Sequence, residues 1–162
     1  MKKIEFPQYI IEVIQSLEKA GFEAYVVGGC VRDLLLNNPE YSGPKDWDVA
    51  TNAKPEEILK IFPDGKYENQ FGTVMLPLKY IESVEEKDWD GPNVEITTYR
   101  IESKYSDKRH PDEVKFAKTL EEDLSRRDFT INAIALKFPI SNFQFPMKSK
   151  IQMTKLKMGC GG

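Results

Sequence analysis

At 162 residues and 18.7 kDa, the chain is long enough for one well-buried core or two small ones and too short for a multidomain enzyme. Hydrophobic residues at 40% and charged residues at 30% describe a soluble globular protein, and no stretch approaches the roughly 20 apolar residues of a membrane span. The formal net charge of -3 hides an asymmetry, because the last acidic residue is Asp128 and lysines are the only charges beyond it; an acidic body argues against a general nucleic-acid coat protein, while a local basic groove stays open to RNA.

Ile10, Val13, Ile14 and Leu17 fall at the i, i+3, i+4 and i+7 spacing of an amphipathic helix, which Gly21 can end with a left-handed cap. Glu5, Glu12 and Glu18 interrupt the apolar residues behind the first lysines, so no secretory signal is expected and the protein reads as cytoplasmic. Ala24–Val27 is a short apolar run expected as a strand, feeding through Gly28 and Gly29 into a helix over 30–36. Residues 46–50 form a second strand candidate. Pro55, followed by Glu56 and Glu57, starts a helix that ends near Phe62. Residues 71–78 and 93–100 are β-rich, and the acidic, Gly-Pro-containing stretch between them is a plausible hairpin connection. Residues 101–113 are polar and aperiodic and are expected as a mobile loop. Residues 120–125 and 129–135 are expected as two short helices, the second capped by Asp128.

Two cysteines, Cys30 and Cys160, and one histidine, His110, supply neither the usual tetrahedral zinc site nor a disulfide framework, so metal chemistry falls to carboxylates. Asp46 and Asp48 are one residue apart on an expected strand, which points both to one face while Trp47 faces the other. Such oxygen ligands suit Mg²⁺, which can activate a hydroxyl nucleophile and neutralise a leaving pyrophosphate. The plain alternative is a solvated strand edge. Gly28 and Gly29 stand between strand and helix, where bare backbone can approach a phosphate, and Arg32 one turn on could pair with triphosphate oxygens or simply with a nearby carboxylate. Glu95 shares a strand face with Thr97 and Tyr99 and could add a third carboxylate if the strands are neighbours. Arg126, Arg127, Asp128 and Asn132 gather two fixed cations, a carboxylate and an amide around a helix start, a set that can clamp a nucleotide or merely cap a helix.

Taken in order, YVVGGCVRDLLL, KDWDVAT, VEITTYR and EEDLSRRDFTINAIA resemble the catalytic head of bacterial-type (class II) tRNA nucleotidyltransferases, the CCA-adding enzymes, and their poly(A) polymerase relatives. The resemblance covers about residues 8–136. It implies an α+β, nucleotidyltransferase-superfamily (polymerase beta-like) fold, a small mixed β-sheet flanked by helices. It further implies that Asp46 and Asp48 bind catalytic Mg²⁺ with Glu95 as the third carboxylate. Gly28, Gly29 and Arg32 would hold triphosphate, and Arg126, Arg127, Asp128 and Asn132 would contact the nucleotide. The family's flexible loop corresponds to 101–113. The implied reaction adds CMP or AMP from CTP or ATP to the 3′ end of tRNA or another RNA.

After Leu136 the family's Asp-Pro-containing segment and helical domains do not follow; the chain runs FPISNFQFPMKSKIQMTKLKMGCGG instead. The expected organisation is therefore a head over 1–145 without the base-selecting and tRNA-binding domains, followed by a lysine-rich tail, 146–162, expected to be disordered. An alternative of a different class is an inactive nucleotide- and metal-binding remnant that needs a partner chain to supply the missing body.

Overall fold

The computed structural model describes residues 6–36, 44, 46–68, 72–77, 93–101, 115–127, 130–138 and 152–155. Helix α1 (Gln8–Lys19) buries the expected stripe, Ile10, Val13, Ile14 and Leu17. It ends as the sequence predicts: Gly21 lies at φ +91°, its N–H donating to the carbonyl of Glu18, and the Phe22 N–H donates to that of Leu17. This pair of bonds is a Schellman cap, and Phe22 and Leu17 both join the core beneath it.

Strand β1 (Ala24–Val27) leads into α2 (Gly29–Leu36), β2 (Trp47–Thr51) and α3 (Pro55–Ile61). Pro55 opens α3, and the Glu57 carboxylate accepts from the Lys54 N–H at 2.8 Å. Strands β3 (Lys66–Glu68), β4 (Thr73–Pro77) and β5 (Asn93–Thr98) follow. β4 and β5 pair antiparallel, as two strands joined by a hairpin connection should, although the connection itself lies outside the described residues. A two-stranded ribbon, β6 (Arg100–Ile101) with β7 (Lys115–Phe116), brackets the segment expected as a mobile loop, which apart from Ile101 also lies outside the described residues. Helix α4 (Leu120–Ser125) carries a capping box: the Thr119 hydroxyl accepts from the Glu122 N–H, and the Glu122 carboxylate accepts from the Thr119 N–H.

The helix expected over 129–135 is not formed. A single 3₁₀ turn, Thr130–Asn132, gives way to strand β8 (Ile134–Lys137), which pairs antiparallel with β1. Ala135 and Leu136 are fully buried on opposite faces of the sheet. A short apolar run serves equally well as helix or strand, and the open edge of β1 decides the matter here. In the lysine-rich tail, Gln152–Lys155 forms strand β9 along β8.

The main sheet runs β3-β4-β5-β2-β1-β8-β9, with β2 and β5 as its parallel pair and antiparallel pairing elsewhere. One face is covered by α1, α2 and α3, enclosing the larger core around Trp47, Ile14, Ile58 and Ile96. On the other face a smaller cluster, Val27, Ala50, Tyr99 and Ala135, packs with Leu120 and Leu124 of α4. Among the described residues no helix is long and apolar enough to cross a membrane.

Replacing Gly21 by Ala should lower stability by about 1 kcal/mol, the strain of an L side chain in the left-handed region. Since a Cβ there meets nothing within 4 Å, the loss is conformational rather than steric. Denaturant unfolding checks this, and an unchanged midpoint would show that the cap does not hold the end of α1.

Candidate active site

Strand alternation and one parallel register build the site. In β2, Trp47 turns into the helix-covered core and is 2% exposed, so Asp48 must face the opposite side. The β2–β5 pairing sets Asp48 directly beside Glu95 and Ala50 beside Thr97. Neighbouring strands are about 4.8 Å apart, so the two carboxylates are adjacent on one face. Across β5, Thr73 pairs with Thr97, their hydroxyls 2.9 Å apart, and Glu68 on β3 stands beside Thr73. These side chains floor a cleft of about 360 Å³ whose wall is formed by Arg100, Arg126 and Arg127.

The cleft has two electrical poles. Burial raises the Asp48 carboxyl above its ordinary value; Arg127 opposes the rise and Asp46 adds to it. Glu95 is also raised, by desolvation first and then by the like charges of Asp48, Glu68 and Asp46, against Arg100. Asp46, Asp48, Glu68 and Glu95 thus crowd like charge into one end of the cleft, a situation that a bound cation relieves. The donors are all hard oxygens, which suits Mg²⁺ or Ca²⁺ rather than a thiol- or imidazole-seeking metal. Among the described residues no three ligating side chains close into a complete cage. Cys30, whose buried thiol donates to the Val27 carbonyl at 2.9 Å and is pushed up to about 11 by burial, is a packing residue.

The opposite pole is organised by α4. Arg126 and Arg127 are only 15% and 17% exposed, and both are bound to Asp123, itself 1% exposed. Asp123 Oδ1 accepts from Arg126 Nη2 at 2.8 Å and Nε at 3.2 Å, and Oδ2 accepts from Arg127 Nη2 at 3.3 Å.

Gly28 sits at φ +80°, where a Cβ would lie 2.5 Å from Asp48 Oδ2 and 3.5 Å from Arg127 Nη1. The glycine therefore makes room for the carboxylate itself. At Gly29 a Cβ would meet only the Arg32 guanidinium, 3.5 Å away at the nearest atom. Arg32 donates to Asp33 at 2.7 Å and to Asn132 Oδ1 at 3.5 Å, so these two candidates are neighbours.

Most candidates from the sequence converge on this face. Asp48, Glu95, Gly28, Arg126 and Arg127 meet at the cleft, while Gly29, Arg32 and Asn132 form an adjoining cluster. Asp46 lies in the bend before β2 and is exposed, so strand alternation does not aim it, although its charge reaches Asp48 and Glu95. Asp128 lies outside the described residues. The sequence reading missed Arg100, Glu68, Thr73 and Thr97 as part of the cleft, and Asp123 as the buried acid behind its arginine wall. Asp123 had a signal, the i+3 and i+4 spacing of the two arginines after it.

A mixed sheet with helices on one face and a carboxylate pair opposed to an arginine wall on the other defines a nucleotidyltransferase-type head. A family model described as the poly A polymerase head domain matches residues 24–151, and the chain belongs to that family. It is similar to the CCA-adding enzyme of Lactobacillus delbrueckii subsp. bulgaricus, 49% identical over 125 residues that make up 76% of this chain and 28% of that protein. Among solved structures it is similar to the Bacillus stearothermophilus CCA-adding enzyme in complex with CTP, with a TM-score of 0.60, 38% identity, and coverage of 80% of this chain and 27% of that one. A tRNA nucleotidyltransferase complexed with a primer tRNA and an incoming ATP analog gives a TM-score of 0.50 at 29% identity, covering 76% of this chain and 30% of that one. The chain thus spans 28% of the length of the first of these relatives, and it is a head domain of the kind CCA-adding enzymes carry.

The raised carboxyls fix a pH dependence. Both ionise less readily in the folded chain than in the unfolded one, so their contribution to stability is most favourable below the unfolded value near 4 and is lost as pH rises through the raised folded values. In Mg²⁺-free buffer, Asp48→Asn should therefore melt higher than the parent at pH 7, with the advantage shrinking as pH falls through the raised folded value and gone below the unfolded value of about 4. A pH-independent difference would show that Asp48 does not titrate against its neighbours.

Proposed function

We propose that this chain is the catalytic head of a tRNA nucleotidyltransferase, directing the 3′-hydroxyl of an RNA onto the α-phosphate of CTP or ATP with release of pyrophosphate. The observation that carries the reading is the register pairing of Asp48 with Glu95 beneath an arginine wall. In this reading Asp46, Asp48 and Glu95 hold Mg²⁺; residues 1–145 are the head, and 146–162 is an appendage to it. The cation, when bound, supplies charge neutralisation at the reacting phosphate and lowers the pKa of the attacking hydroxyl.

The protein's own part is placement. Asp48 is held by β2, and its carboxylate packs against the bare backbone of Gly28, in the space that a side chain there would otherwise fill. Glu95 is held by β5 beside it. Arg126 and Arg127 face the same cleft as fixed cations that match phosphate oxygens in fork geometry. Gly28, Gly29 and Arg32 line the start of α2, where backbone N–H groups favour an anion, and Asn132 with Asp128 supplies hydrogen-bonding groups suited to a ribose. Such contacts engage the triphosphate and sugar common to CTP and ATP, so the chain on its own should prefer one over the other by less than about tenfold, a difference worth 1.4 kcal/mol.

The test is incubation of the chain with labelled CTP or ATP, Mg²⁺ and tRNA lacking its 3′ end. Label should pass to the RNA, and Asp48→Asn or Glu95→Gln should reduce transfer by roughly a hundredfold or more while the fold persists. Transfer that survives both substitutions would refute the assignment. Gly28→Ala should cost far more activity than Gly29→Ala, because only the first drives a methyl group into the Asp48 carboxylate. Equal effects in the same assay would separate Gly28 from the placement of Asp48.

A further inference from the structure

Asp123 is a buried acid that the transfer chemistry does not use. It lies on the side of α4 turned into the protein, 1% exposed, and its carboxylate collects four bonds. Oδ1 accepts both Nε and Nη2 of Arg126 and also the backbone N–H of Arg100 at 3.2 Å; Oδ2 accepts Nη2 of Arg127. Arg126 Nε donates in addition to the Arg100 carbonyl at 3.1 Å. The carboxylate thereby locks the Arg126 guanidinium in plane and ties it to the first residue of β6. It holds one end of Arg127, whose Nη1 is the atom next to Gly28 and on the side of Asp48.

One carboxylate set against two guanidiniums leaves positive charge directed at the cleft. Two neighbouring arginines with no shared acceptor would repel each other and turn toward water, or toward Asp48 and Glu95, closing the anion site with the enzyme's own carboxylates. We infer that Asp123 is a positioning residue for polyphosphate binding: it presents Arg126 and Arg127 as a preset fork for the triphosphate of the incoming nucleotide and keeps them from collapsing onto the acidic pole. The inference rests on the function proposed above and assigns it the part that orders its cationic wall.

The sign of one measurement distinguishes positioning from simple charge balance. Asp123→Asn removes a negative charge near the cleft; if Asp123 served only to balance charge, inorganic tripolyphosphate would bind the variant more tightly. Positioning demands the opposite, a loss of about tenfold or more for both tripolyphosphate and CTP, in line with the loss of charge-assisted hydrogen bonds. Calorimetric titration of the whole chain with tripolyphosphate, CTP and cytidine reads this, and cytidine affinity should stay within about twofold because it carries no phosphate. Equal or tighter tripolyphosphate binding by a folded variant overturns the inference. Failure of the unmutated chain to bind CTP at all overturns the functional reading beneath it as well. Should the variant not fold, the arginine side-chain N–H resonances of the unmutated chain decide: Arg126 Nε–H should be protected from exchange and should shift with tripolyphosphate but not with cytidine. Rapid exchange, or no response to tripolyphosphate, overturns the inference.

Discussion

The parallel register between β2 and β5 is the constraint on which the rest of the structure depends. It sets Asp48 against Glu95 on a face where, among the described residues, no helix lies directly over them, an arrangement that electrostatics alone disfavours, since both acids are partly desolvated and each lies in the field of the other. The pairing survives because the opposite side of the same strands is anchored. Trp47, Val49, Val94 and Ile96 alternate with the acids and are buried under α1, α2 and α3. A slip of one residue would bring Asp48 and Glu95 into that core and expose Trp47, so hydrophobic burial fixes the register and the register fixes the acids.

The two faces of the sheet therefore divide the work. The helix-covered face carries the stability, and the open face stores unfavourable charge that a substrate complex can use. Opposite the acids, α4 turns the same logic around, gathering two guanidiniums on a single buried carboxylate. The cleft between these poles complements a cation on one side and a polyphosphate on the other. Thr73 and Thr97 extend its floor with hydroxyls that bond each other.

Much of this was legible in the sequence wherever the signal was local. The stripe of α1, its glycine cap, the strand before Gly28, Pro55 at the start of α3 and helix α4 all follow from short-range pattern. The helix expected over 129–135 is a strand in part, because its length and apolar content fit helix and strand alike, and the edge of β1 that selects β8 is over a hundred residues away in sequence. Adjacency of β2 and β5 had to be assumed, since no local feature of KDWDVAT or VEITTYR specifies a partner. The hub at Asp123 is hidden in the sequence for a related reason: its helical spacing to Arg126 and Arg127 is visible, but its burial and its bond to the Arg100 backbone exist only after folding. The motifs that resemble the nucleotidyltransferase head supplied the long-range information that pattern could not.

The claim that Asp48 and Glu95 form one pole of a cation-dependent site is tested most directly by paramagnetic broadening. Mn²⁺ replaces Mg²⁺ at oxygen-ligand sites and broadens amide signals close to it. Added in trace amounts with CTP, it should erase the amides of Val27, Gly28, Asp48 and Glu95 first, leaving those of α1, on the far side of the sheet, sharp. Broadening that begins elsewhere, or that is the same in Asp48→Asn, would contradict the account.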